Sequence, residues 1–118
     1  MLIAGTLHLN AEITVKEYKA RRDIDKEWAA QVRLYIGGVG EGFSWANSME
    51  PARKVPPFFC PPDRLRFTVQ NYVDMLDDEI EQASHKLAKA ELDATPIDVI
   101  LMRGMILTFP CKDDMSQK

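Results

Sequence analysis

A chain of 118 residues is long enough to bury one hydrophobic core and too short for two, so any function has to sit on the surface of one domain. Its 15 Lys and Arg against 18 Asp and Glu leave a net charge of -3, which argues against nucleic acid as a partner. No apolar run reaches the roughly 18 residues of a transmembrane helix, so no membrane span is expected.

Residues 1–13 alternate Leu7, Leu9, Ala11 and Ile13 with polar neighbours, a pattern that fits a short strand or an irregular arm; we read an arm. The opening Met1-Leu2-Ile3-Ala4 lacks the basic start of a signal peptide, so an export signal is expected to have been removed. Thr14-Val15-Lys16-Glu17 has the capping-box pattern and predicts a short helix over 15–22. Asp23 or Asp25 then caps a longer helix, in which Trp28, Val32, Tyr35, Ile36, Val39, Phe43 and Ala46 recur at helical spacing as a core-facing stripe. Pro51, Pro56, Pro57, Pro61 and Pro62 make 49–62 a loop. Thr68 with Asn71 opens the next helix, whose stripe is Val69, Tyr72, Val73, Leu76 and Ile80. That helix continues, or breaks and restarts, through 84–92. Thr95-Pro96-Ile97-Asp98 is a further start signal, with Thr95 as cap and Pro96 at the first helical position. The helix it opens, 97–108, is apolar nearly all round and is expected to be the central, most buried one. The fold class is all-α, a compact bundle of four to five short helices with one disulfide. Its divisions are an N-terminal arm (1–13), a single helical domain (14–111) and a polar C-terminal tail (112–118).

The cysteines are two, Cys60 in Phe59-Cys60-Pro61-Pro62 and Cys111 after Phe109-Pro110. Cysteines that bind metal or act as nucleophiles come with partners at readable spacing, and neither has any. We read them as one disulfide, two buried thiols being the alternative. Closing that loop would stabilise the fold by about 4 kcal/mol in the chain-entropy model. Such a bond persists in an oxidising compartment, periplasm or exterior.

The glycine-rich run from Gly37 through Gly38 and Gly40 to Gly42 misses the G-x-G-x-x-G spacing, follows no strand and precedes no Gly-Lys-Ser/Thr, so it does not read as a phosphate loop. It reads as structural. Gly38 and Gly42, one turn apart on one face, are expected to receive another helix backbone to backbone, and Gly38→Leu to loosen the protein. His8 and His85 have no ligands at metal spacing and are expected at the surface, and Ser44 and Ser48 lack a nucleophile setting. Asp77, Asp78, Glu79 and Glu81 read as a solvated face that can attract a basic partner. Trp45 and Arg53 are of hot-spot type, with Trp45 expected in the core. Glu41, Trp45, Arg53, Asp77 and Asp78 are the candidates for partner contact. No cofactor, metal or catalytic residue is expected, and the chain does not read as an enzyme.

In order, Tyr35-Ile36-Gly37-Gly38-Val39-Gly40-Glu41-Gly42, Phe59-Cys60-Pro61-Pro62 and Phe109-Pro110-Cys111 resemble the motifs of the Rap/Tai immunity family of type VI secretion systems. Those motifs run Tyr-x-x-Gly-Val-x-x-Gly, Phe-Cys-x-Pro and a terminal Phe-Pro-Cys, and the likeness covers 14–111. The resemblance implies a small helical periplasmic protein that binds and neutralises a protein effector, commonly a peptidoglycan amidase or other cell-wall hydrolase, often as a homodimer. It also implies Cys60 and Cys111 as the structural pair and Gly38, Gly40 and Gly42 as members of the glycine helix. The chain departs from the family in lacking further cysteines early in the domain. A periplasmic acid-stress chaperone or envelope accessory protein, with the same small single-disulfide design, is the alternative.

Overall fold

The computed structural model describes residues 12–49, 51–62 and 66–112. Five α-helices carry the fold: α1 (Val15–Arg21), α2 (Lys26–Ser48), α3 (Val69–Ala83), α4 (Lys89–Asp93) and α5 (Ile97–Thr108), with a 3-10 turn at Pro51–Arg53. Among the described residues there is no strand, only one isolated antiparallel bridge between Thr14 and Pro96. The chain is thus the all-α bundle with one disulfide that its patterning implies. The expected arm up to residue 11 and the tail over 113–118 lie outside the described residues.

Helix starts follow from short polar side chains that take up amides with no partner inside the helix. Thr14 Oγ1 accepts from the Glu17 amide at 3.2 Å, and Asp25, not Asp23, caps α2 by accepting from the Trp28 amide at 3.1 Å. The Arg21 guanidinium spans the α1–α2 corner: it donates to Glu17 at 3.3 Å and to Asp25 at 2.9 Å, and lies 4.6 Å over the Trp28 ring. Thr68 and Asn71 form a complete capping box at α3. Past Ser84 the helix breaks and restarts as α4.

The start of α5 departs from its sequence signal. Pro96 rather than Thr95 occupies the cap position, and no side chain caps the helix. The polar groups of Thr95 are engaged elsewhere: its hydroxyl donates to the Glu91 carbonyl at 2.8 Å and its carbonyl accepts from the Val15 amide at 2.9 Å. The Ile97 amide in turn donates to the Ile13 carbonyl at 2.8 Å. Backbone from the chain start therefore partners the first amide of α5, and backbone before α5 partners the first amide of α1.

α3 lies between α2 and α5 and packs on both, while α1 packs on α4. The central helix is therefore α3. The expectation that α5 is central is corrected, while its strong burial holds: Ile97, Ile100, Leu101, Gly104 and Met105 face the core, and Val99 and Leu107 on the far side are about half exposed. Tyr72, Leu76, Ile100, Leu101 and Met105 are almost wholly buried, each such side chain worth about 1.5–3 kcal/mol of removed apolar surface. At Gly104 the helices α3 and α5 touch closely, an added Cβ there lying 3.0 Å from the Met75 carbonyl oxygen and 3.2 Å from the Glu79 Cβ. Glu79 is consequently buried, with Arg103 Nε donating to it at 3.2 Å. The acidic run is thus not one solvated face, because successive residues of a helix point about 100° apart.

The same phase relation decides which glycines pack. A Cβ at Gly40 would overlap the ring of Tyr72, and one at Gly37 would come within 2.8 Å of Val69 Cγ2. Nothing lies within 4 Å of such an atom at Gly38 or Gly42, both of which are exposed. The contact face is that of Gly37 and Gly40, and the packing role expected of Gly38 and Gly42 is corrected accordingly. Tyr72 is fully buried and has little room to withdraw. Gly40→Ala should therefore destabilise by about 1–3 kcal/mol through overpacking. Gly38→Ala should stabilise by about 0.5–1 kcal/mol through backbone entropy alone. Urea unfolding of both variants checks this, and shifts of the same sign would reject the assignment.

Candidate functional site

The loop between α2 and α3 is short of hydrogen-bond donors. Between Pro56 and Pro62 only Phe58, Phe59 and Cys60 carry amides. All three are partnered. The side chain of Asn47, buried in the last turns of α2, accepts through Oδ1 from the Phe58 amide at 2.7 Å and the Phe59 amide at 3.3 Å. Its Nδ2 donates to the Phe59 carbonyl at 2.7 Å. The Cys60 amide donates to the Phe109 carbonyl at 2.8 Å, beside the Cys60–Cys111 disulfide with its Cα atoms 5.0 Å apart. These ties sink the Phe59 ring into the core and hold the loop against α2. Phe67 joins the arrangement, its ring centroid 5.3 Å from Tyr72 and 5.5 Å from Phe109, in the tilted geometry aromatic pairs favour.

What results is an open groove of about 710 Å³ between the C-terminal half of α2, the proline loop and the start of α3. Trp45 stands on its α2 rim, 68% exposed, and Cys60, Pro61 and Pro62 form the opposite wall. Phe58, on the same loop, is 54% exposed. The floor is polar: the Tyr72 hydroxyl lies 3.0 Å from Ser44 Oγ and donates to Glu41 Oε2 at 3.4 Å. Burial, together with the nearby Glu41 charge, pushes the Tyr72 phenol above its ordinary value. Ser44 meets another hydroxyl rather than a base, and no group of three or more metal-ligating side chains occurs among the described residues. The groove can thus present apolar surface, a hydroxyl pair and a carboxylate to a bound chain.

The structure separates the sequence candidates. Glu41 and Trp45 meet at this groove, and Trp45 is at the surface rather than in the core, because the buried positions of α2 are Val32, Ile36, Gly37, Gly40 and Asn47 on another face. Arg53 ends the 3-10 turn, exposed and outside the lining. Asp78 is exposed beside the α3–α5 crevice. Asp77 faces neither: it takes a hydrogen bond from the Tyr18 hydroxyl at 2.8 Å and an ion pair from Arg22 at 2.6 Å, latching α1 to α3. His85 is exposed beside Glu81, and His8 lies outside the described residues. Sequence reasoning missed Asn47, Tyr72 and Phe67; a polar residue at a helical repeat of the buried α2 face was the available signal for Asn47.

Asn47→Ala would leave the Phe59 amide and carbonyl buried without partners, so a loss of about 2–4 kcal/mol is expected. Thermal and urea unfolding measure it, and a change below 1 kcal/mol, on the order of one ordinary hydrogen bond, would remove Asn47 from its bracing role. The Tyr18 latch gives a second test. Burial, reinforced by the hydrogen bond to Asp77, pushes the Tyr18 phenol from 10.0 up to about 12. Folding therefore holds that proton more tightly than the unfolded chain does, and the stabilisation is complete below pH 10 and lost as pH rises from 10 toward 12. Over that window wild type should lose stability more steeply than Tyr18→Phe; parallel curves would contradict the latch.

Comparison with protein-family models, with curated proteins and with solved structures returns no match to this chain.

Proposed function

We propose that the protein is a non-enzymatic binding protein of the Rap/Tai immunity kind, which neutralises a type VI secretion effector by holding it at the groove between α2, the proline loop and α3. The observation that carries this reading is Trp45, an indole left 68% exposed on the rim of a groove that already has a fixed floor. An exposed tryptophan beside a concave, partly apolar surface is the side-chain type that dominates binding energy at protein interfaces. A rigid floor and a tied loop lower the entropy lost on association. The order of the glycine-helix, Phe59-Cys60-x-Pro62 and Phe109-Pro110-Cys111 motifs supplies the choice of partner, a secreted cell-wall hydrolase such as a peptidoglycan amidase. The disulfide supports a periplasmic setting, where such bonds form and persist.

The test uses the product of a neighbouring cell-wall hydrolase gene. Co-production of the present chain should restore growth to cells exporting that enzyme, and the two purified proteins should form a complex. Trp45→Ala should weaken that complex by about 30-fold or more, the scale of a hot-spot truncation, with an unchanged melting temperature. Absence of both protection and binding would end the proposal for that pair, and an unaltered affinity in Trp45→Ala would move the contact away from the groove.

A further inference from the structure

The disulfide belongs to the groove as well as to the scaffold. Cys60 is solvent-exposed and forms part of the groove wall, while Cys111 is half-buried just beyond the end of α5. Among the described residues, the one buried apolar side chain of the proline loop is Phe59; the others sit on α1 to α5. The helical core therefore closes without the sulfur bridge. The loop does not have that independence. Its prolines remove backbone donors, and apart from the bridge its described ties are the Phe59 ring, the Asn47 hydrogen bonds and the single Cys60–Phe109 backbone bond.

We propose that the groove is a redox-conditional binding site, assembled when Cys60 and Cys111 are oxidised and released by a dithiol reductant while the helices stay folded. A thiolate of the reductant attacks Sγ of Cys60, the more exposed residue of the pair. The bond to Cys111 breaks, Cys111 leaves as a thiolate and takes up a proton. The second thiolate of the reductant then attacks the mixed disulfide, Cys60 leaves and is protonated, and the reductant departs as its own disulfide. Two electrons and two protons pass to the protein. With the bridge gone, the segment from Pro57 to Pro62 regains freedom, and the wall facing Trp45 loosens. A chain made in a reducing compartment thus carries its helices but not its groove, and gains binding competence on oxidation. This rests on the groove being the effector site.

Hydrogen exchange on the oxidised protein, on the protein reduced with dithiothreitol, and on Cys60→Ser/Cys111→Ser tests it without any effector. Reduction and the double substitution should each lower protection of the Phe58, Phe59 and Cys60 amides at least tenfold, while α3 and α5 amides stay protected and far-ultraviolet dichroism keeps its helical signal. Affinity for the purified neighbouring hydrolase should fall at least tenfold in parallel. Unchanged protection of those three amides, or loss of helix along with them, would overturn the inference. If the oxidised protein binds no hydrolase, the immunity reading fails, and the exchange data still decide whether the groove wall depends on the bridge.

Discussion

The approach of α2 to α3 at Gly40 sets the geometry on which the rest depends. The Tyr72 ring occupies the volume a side chain at Gly40 would fill, so the two helices settle at a separation fixed by a backbone on one side and a ring face on the other. Interiors are packed too densely for this to be one option among many. The position of the ring then dictates where its hydroxyl emerges, next to Glu41 and to Ser44 one turn beyond Gly40 on α2. It also gives Phe67 a surface to lean on, and through Phe67 it reaches Phe109 at the end of α5. One missing Cβ thus fixes a helix pair, a groove floor and an aromatic row.

The second constraint is the shortage of donors in the proline loop. A segment with few amides cannot join a sheet or helix, so it must be held by side chains or covalently. Both devices are used. Asn47 reaches across with an acceptor and a donor, the pattern only an amide side chain can supply at one position, and the Cys60–Cys111 bond closes the far end. The two act on either side of Phe59, whose ring is the loop's buried apolar side chain among the described residues.

Local signals were legible and relative ones were not. Thr14 and Thr68 could be read, and the α2 cap narrowed to Asp23 or Asp25, because a cap is a contact within three residues, complete in the sequence itself. The apolar stripe of α3, that of α2 except for its exposed end at Ala46, and the break at the proline loop were legible for the same reason. Thr95 misled because its carbonyl and hydroxyl were claimed by Val15 and Glu91, of which Val15 is distant in the chain. Gly38 and Gly42 misled because spacing within a run tells which glycines share a face, not which face meets α3. The acidic run of α3 hid the opposite fates of Asp77, Glu79 and Asp78, which depend on α1, α5 and solvent respectively. Of the groove, Glu41, Trp45 and Cys60 were in view, but Trp45 was assigned inward. Its aromaticity marks burial or binding equally well, and only the phase of α2 separates them.

That phase also divides the groove by stiffness. Tyr72, Ser44 and Glu41 sit on two long helices locked at Gly40, so the floor moves only if the core moves. Pro61 and Pro62 sit on a loop tied by the Asn47 hydrogen bonds, the Cys60–Phe109 backbone bond and the disulfide, so on the proposed redox reading the wall would shift without the core. A stiff floor with an adjustable wall suits recognition of a protein surface, where an anchor must be fixed and its surroundings must fit a particular partner. Here the polar groups of the floor bond to one another, and the exposed indole stands across the groove from the proline wall. On the proposed reading of the groove as a protein-binding surface, the floor would anchor a partner and the wall would be the part that fits it.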